Sequence, residues 1–180
     1  MRPMVLLTAA LVAGSPTARP LAAQAVTAAV EPAGMKPLDW LVGRWTGTGS
    51  MVTGPGARKE AAARETATRH AGGHVLMLEG LGTAANGDVV HDAFAVLWYD
   101  AEKGTHRMRG FRANGHALET DVTVTDRQIT WGFQDPRGAR IRFTVTHTES
   151  DQWHEVGEYS ADGAAWHPFM EMTLSREPGS

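Results

Sequence analysis

Apolar and polar residues alternate over short runs through most of the chain, and turn-forming residues separate the runs at even intervals. The runs include Val75-Leu76-Met77-Leu78, residues 93–99, Ile141-Arg142-Phe143-Thr144-Val145 and Met170-Glu171-Met172-Thr173-Leu174. The turns are Thr53-Gly54-Pro55-Gly56, Ala71-Gly72-Gly73, Asn86-Gly87, Lys103-Gly104, Asn114-Gly115, Asp126-Arg127, Asp135-Pro136-Arg137-Gly138, Ser150-Asp151 and Asp162-Gly163. Strands spaced this closely and joined by tight turns predict an all-β, up-and-down antiparallel sheet. About ten strands fit, enough to close into a β-barrel with an internal cavity.

Two stretches refine the pattern. Leu38, Leu41 and Val42 share one face of a short helix that Gly43 can terminate, and Trp45, Gly47 and Gly49 then alternate with polar residues as a strand that bends at its glycines. A helical plug followed by a bent strand opens a small barrel well. Residues 59–65, Lys-Glu-Ala-Ala-Ala-Arg-Glu, have high intrinsic helix propensity. A helix there would interrupt the meander, so the stretch is expected to be a strand.

Hairpin register fixes which side chains face inward. With Asn114-Gly115 as a two-residue loop, Phe111 opposes Leu118, Arg109 opposes Thr120 and Arg107 opposes Val122. With Asp126-Arg127 as another, Val124 opposes Ile129 and Val122 opposes Trp131. The inner face then carries Phe111, Leu118, Val122, Val124, Ile129, Trp131 and Phe133, together with Arg107 and Arg109. Two guanidinium groups inside need acceptors. They can anchor an anionic ligand against the wall of Phe111, Leu118, Trp131 and Phe133, pair with an internal carboxylate such as Glu79, or extend to water at the mouth. With Asp162-Gly163 as the last loop, Glu158 opposes His167 and His154 opposes Glu171. Hydrophobicity turns Trp153, Tyr159, Trp166, Met170, Met172 and Leu174 inward and those His–Glu pairs outward. A one-residue slip would instead line the cavity with His154, Glu158, His167 and Glu171, a set able to hold zinc or iron.

Composition narrows the setting. The chain has 180 residues and a net charge of −3, so it lacks a basic field for nucleic acid. Met1-Arg2, an apolar run over residues 4–13 and Ala23-Gln24-Ala25 form an export-signal pattern, too short in its apolar part to span a bilayer. This predicts a leader over residues 1–25, a linker over 26–34 and a barrel domain over 35–180, with a periplasmic or secreted location. The absence of cysteine excludes disulfides, thiolate ligands and a Cys nucleophile. His70, His74, His91 and His116 stand beside turns, where surface histidines are common. No His-Glu-x-x-His, Gly-x-Ser-x-Gly or phosphate-cradling pattern is present.

The stretch Leu41-Val42-Gly43-Arg44-Trp45-Thr46-Gly47-Thr48-Gly49 resembles the opening strand of calycin-type barrels. Together with Gly73-His74-Val75-Leu76, His91-Asp92-Ala93, Trp153-His154-Glu155-Val156-Gly157-Glu158 and Glu171-Met172-Thr173-Leu174-Ser175-Arg176, it resembles a bacterial family of exported proteins known only as a domain of unknown function. The resemblance covers nearly everything after Met35. It implies a ten-stranded barrel of the lipocalin or fatty-acid-binding-protein kind, with no established ligand. Nitrobindins are similar in the opening strand and hold ferric haem through a histidine on the final strand. The final-strand histidine here is His167, two residues from the place expected by counting back from Leu174; Phe169 stands nearer to it. The expected function is therefore an exported barrel that binds a small, partly apolar, anionic molecule, with Arg107 and Arg109 as anchor and no cofactor. The alternatives are a haem or metal protein using His167 and an enzyme acting inside the cavity.

Overall fold

The computed structural model describes residues 32–179. The leader expected at 1–25 and most of the linker lie outside these residues. A 3-10 helix, Ala33–Leu41, comes first. Ten strands follow: β1 (Gly43–Gly54), β2 (Ala57–His70), β3 (Val75–Thr83), β4 (Val89–Asp100), β5 (Thr105–Arg112), β6 (Ala117–Val124), β7 (Gln128–Gln134), β8 (Arg140–His147), β9 (Gln152–Ser160) and β10 (His167–Arg176). Each strand pairs antiparallel with the next, and β1 pairs with β10, so the sheet closes into the expected up-and-down barrel. Among the described residues no helix is long and apolar enough to cross a membrane.

The 3-10 helix plugs one end. Met35, Leu38 and Leu41 are fully buried against Trp45, Leu76, Leu97, Val145 and Leu174. Polar clasps hold the plug in place, because a helix this short leaves most of its backbone groups unbonded. Trp45 donates Nε1 to the Leu41 carbonyl at 2.9 Å, and Arg69 donates to the Met35 carbonyl at 2.8 Å while pairing with Asp39. Arg176 lies over the Trp45 ring at 4.0 Å and donates to the carbonyls of Val42 and Trp40 at 2.6 and 2.9 Å. The Nε2 atom of His106 meets the Gly34 carbonyl at 2.6 Å.

Residues 59–65 lie within β2, as expected despite their helix propensity. The strand is paired along both edges, with β1 and with β3, and tertiary pairing outweighs a local preference worth a few tenths of a kcal/mol per residue. Apart from Glu65, its inner positions are small. Ala61, Ala63 and Ala67 join Gly47 and Gly49 of β1, Gly80 and Gly82 of β3, and Ala93 and Ala95 of β4. Across the barrel the inner positions are large: Trp131 and Phe133 on β7, Phe143 on β8 and Trp153 on β9. Trp131 stacks on Phe143 at 5.4 Å between ring centroids. Small residues on one wall facing aromatic residues on the other leave a hollow.

Two hairpins differ from expectation. The Asn114-Gly115 loop has three residues, not two: Arg112 N–H donates to the His116 carbonyl at 2.9 Å, and Gly115 takes the left-handed position at φ 82°. Phe111 therefore opposes Ala117, Arg109 opposes Glu119 and Arg107 opposes Asp121. One residue of slip turns β5 over, so Met108 and Gly110 face inward while Arg107, Arg109 and Phe111 face outward. The Asp126-Arg127 loop has two residues as expected, and β6 and β7 keep the expected faces. The loop through Asp162-Gly163 is longer than expected. His167 opposes Tyr159, and an irregularity between Pro168 and Met170 brings Glu171 opposite Val156. The expected pairing of Glu158 with His167 is thus replaced, whereas His154 and Glu171, no longer directly opposite, still meet through their side chains on the outer face as expected.

Candidate functional site

Beyond the plug, toward the open end, lies a cavity of about 90 Å3 lined by Glu65, Leu78, Gly80, His91, Ala93, Ala95, Trp131, Trp153 and Glu155, among others. β2 supplies Glu65. It opposes Trp45 on one side and Gly80 on the other, which puts it on the inner face two positions from the buried Ala67. Gly80 is what gives the carboxyl room: a Cβ there would come within 2.5 Å of Glu65 Oε1. β9 supplies Glu155, only 7% exposed, which shares the inner face with Trp153 by strand alternation. The Trp153 indole donates to Glu155 Oε2 at 3.2 Å.

Neither carboxyl meets a cation. Glu65 has no hydrogen-bond or ion-pair partner among the described residues, and the Trp153 contact is the one Glu155 makes among them. Both pay for their burial with a displaced pKa, since removing a carboxylate from water favours its protonated form. Burial raises Glu155 to about 7, against the opposing pull of the Trp153 hydrogen bond. Burial raises Glu65 well above the ordinary carboxyl value, and the nearby Glu155 charge raises it further. At pH 7 Glu155 is therefore about half ionised, and its charge is complete only above that pH. His91 stands at the mouth beside Arg112; partial burial and then the Arg112 charge lower its pKa, with Asp92 opposing them. The arrangement can hold a hydrogen-bond donor or a cation, or pass a proton to a guest.

The residues singled out from sequence divide sharply. Trp131 lines the cavity, and Leu118 and Phe133 share its inner face. Arg107, Arg109 and Phe111 do not. Arg107 Nη2 pairs with Glu119 Oε1 at 2.7 Å and its Nε lies 3.3 Å from Asp121, while Arg109 reaches Glu119 at 3.9 Å and lies over the Phe111 ring at 5.5 Å. They form a charge ladder on the outer wall, and Phe111 is 39% exposed. Glu79, considered as an internal partner, is exposed on the outer face opposite Thr66 and Phe94.

The four residues of the alternative metal set do not converge. His154 meets Glu171 on the exterior at 3.1 Å, and Glu158 pairs with Arg142 at 2.7 Å. His167 lies at the rim against Tyr159, with ring centroids 5.4 Å apart. No group of three or more His, Asp or Glu able to hold a metal occurs among the described residues. A haem iron needs a histidine facing an open apolar pocket. His167 does not line the cavity, so it does not fit that role.

Sequence reasoning missed Glu65, Glu155 and His91. Glu155 carried a usable signal, since it stands two residues from Trp153, already assigned inward. For Glu65 the signal is the pairing with Trp45, which only the three-dimensional register reveals.

No protein-family model matches the chain, and no curated protein sequence matches it. Among solved structures it is similar to Rv2717c from M. tuberculosis, with a TM-score of 0.60 and 15% identity over 82% of this chain and 99% of that one. A second similar structure, of EF1p2_mFAP2b bound to DFHBI, has a TM-score of 0.44 and 13% identity over 79% of this chain and 98% of that one. At this identity the likeness to Rv2717c shows a shared barrel fold alone.

Proposed function

We propose that the protein is a small-molecule-binding barrel whose ligand enters the open end and sits between Trp131, Trp153, Leu78 and the carboxyls of Glu65 and Glu155. The observation that carries this reading is a pair of carboxyls without a cation, Glu155 buried and Glu65 partly buried, facing a cavity whose other walls are apolar apart from His91. Binding sites combine apolar burial with a few fixed polar groups in this way. The interior reverses the expected ligand polarity. Guanidinium anchors favoured an anion, but they lie outside, and the groups inside repel an anion and favour a donor. The small cavity suits a compact guest. With the leader expected over residues 1–25, the proposal includes binding outside the cytoplasm.

A fragment screen read by amide chemical shifts tests the reading. Binding in the barrel is expected to shift Glu65, Leu78, Ala95, Trp131 and Trp153 together. Shifts confined to the outer wall, or none across a broad fragment set, would overturn it.

A further inference from the structure

Resting on that binding reading, we infer that the cavity selects a compact primary amine, its ammonium held by Glu155 and Glu65 and its short apolar chain laid against the Trp131 indole. Three features on separate strands converge on this class of guest. Glu155 on β9 is more than nine-tenths buried and keeps one carboxyl oxygen without a protein partner. Glu65 on β2 has no protein partner for either oxygen, and Gly80 on β3 is kept bare to admit it. The chain supplies other carboxylates with cations freely, as in Arg107 with Glu119 and Arg142 with Glu158. The two inside are left for a guest.

A buried carboxylate without a cation is costly, and a desolvated ammonium is costly too; together they offset one another if the geometry is good. The pair of carboxyls matches a primary ammonium well. Its three N–H donors can reach the free oxygen of Glu155 and an oxygen of Glu65. The indole face adds to this, because a cation is attracted to the negative face of the π-system. A carboxylate guest would meet like charge. A neutral alcohol could donate one hydrogen bond but would leave the Glu155 charge uncompensated.

The test compares three probes of matched length by titration calorimetry at pH 7.5 on the full chain: propylamine, propan-1-ol and propanoate. The amine is expected to bind at least tenfold more tightly than the alcohol, and the propanoate not at all. Glu155→Gln, which keeps the Trp153 hydrogen bond and removes the charge, is expected to bring the amine down to the affinity of the alcohol. Glu65→Gln is expected to weaken the amine by a smaller factor. An alcohol that binds as tightly as the amine overturns the inference, as does an amine preference that survives in Glu155→Gln. Failure of the amine to bind also overturns it. If the fragment screen still shows cavity shifts in that case, the binding reading stands and the amine assignment alone falls; if both are silent, the two fall together.

Discussion

Replacing Glu155 by Gln tests the interior most directly, because it alters charge with almost no change of shape. The amide oxygen can still accept the Trp153 N–H that Glu155 Oε2 accepts at 3.2 Å. In the native protein burial raises Glu155 from the ordinary 4.5 to about 7. Below pH 4.5 both native and unfolded chains hold the proton, and burial of the group carries no pH-dependent cost. Between about 4.5 and 7 the unfolded chain releases its proton while the native chain keeps it, so stability falls as pH rises. Above 7 both are ionised and the loss is complete. At about 1.4 kcal/mol per decade, the displacement amounts to about 3 kcal/mol of stability lost between pH 4.5 and 8. Glutamine does not titrate, so the variant is spared that loss. Urea unfolding at pH 4.5, 5.5, 6.5 and 8, with stabilities extrapolated to water, reads it out. The difference between variant and native protein is expected to be near zero at pH 4.5 and to approach about 3 kcal/mol in favour of the variant at pH 8. Contributions from carboxylates outside the cavity largely cancel in that difference, while Glu65, freed from the raising effect of the Glu155 charge, adds to it in the same direction. Curves that run parallel across the whole range would refute the account, since they would mean that Glu155 reaches water when ionised.

Other perturbations separate the wall, the plug and the cavity. Gly80→Ala puts a methyl group within 2.5 Å of Glu65 Oε1, but the atom displaced is the end of a flexible side chain; fold stability by thermal denaturation is expected to change little, while propylamine affinity falls. Arg107→Ala removes an outer-wall ion pair and is expected to cost less than about 1 kcal/mol in urea unfolding, with amine affinity unchanged; loss of binding would contradict its placement outside. Leu38→Ala empties a fully buried position under the barrel and is expected to cost about 2–5 kcal/mol by the same assay.

The barrel could be read from the chain because its signals are local: alternation within strands, turn residues at even spacing, and an N-terminal apolar triad. What could not be read depended on register at a distance. Asn114-Gly115 is compatible with a two-residue loop and with a three-residue loop that places only the glycine in the left-handed region, as observed at φ 82°. The first choice puts Arg107 and Arg109 inside and the second puts them outside, and nothing in the dipeptide decides between them. Flanking residues bore on the choice. Arg107 and Arg109 face Glu119 and Asp121 only in the three-residue register, and opposite charges placed across a pair of strands favour the register that joins them.

The carboxyls were hidden by a different bias. Hydrophobic patterning assigns polar residues to solvent, so it fails wherever a polar residue is buried for use, and functional sites are such places. Glu65 follows a run of alanines in a segment that by itself looks like a solvated helix, and its inward direction follows from Trp45 across the β1–β2 pair. Glu155 was within reach, because period-two alternation places it with Trp153 and Gly157 whatever its polarity. A different pattern points to the cavity without appeal to hydrophobicity. The inner positions of β1 to β4 run Gly47, Gly49, Ala61, Ala63, Gly80, Gly82, Ala93 and Ala95, while those of β7 to β9 carry Trp131, Phe133, Phe143 and Trp153. A packed interior would interleave large with small residues around the whole circumference. Segregating them leaves space against one wall, and the two carboxyls enter it from β2 and β9, which only β1 and β10 separate in the barrel.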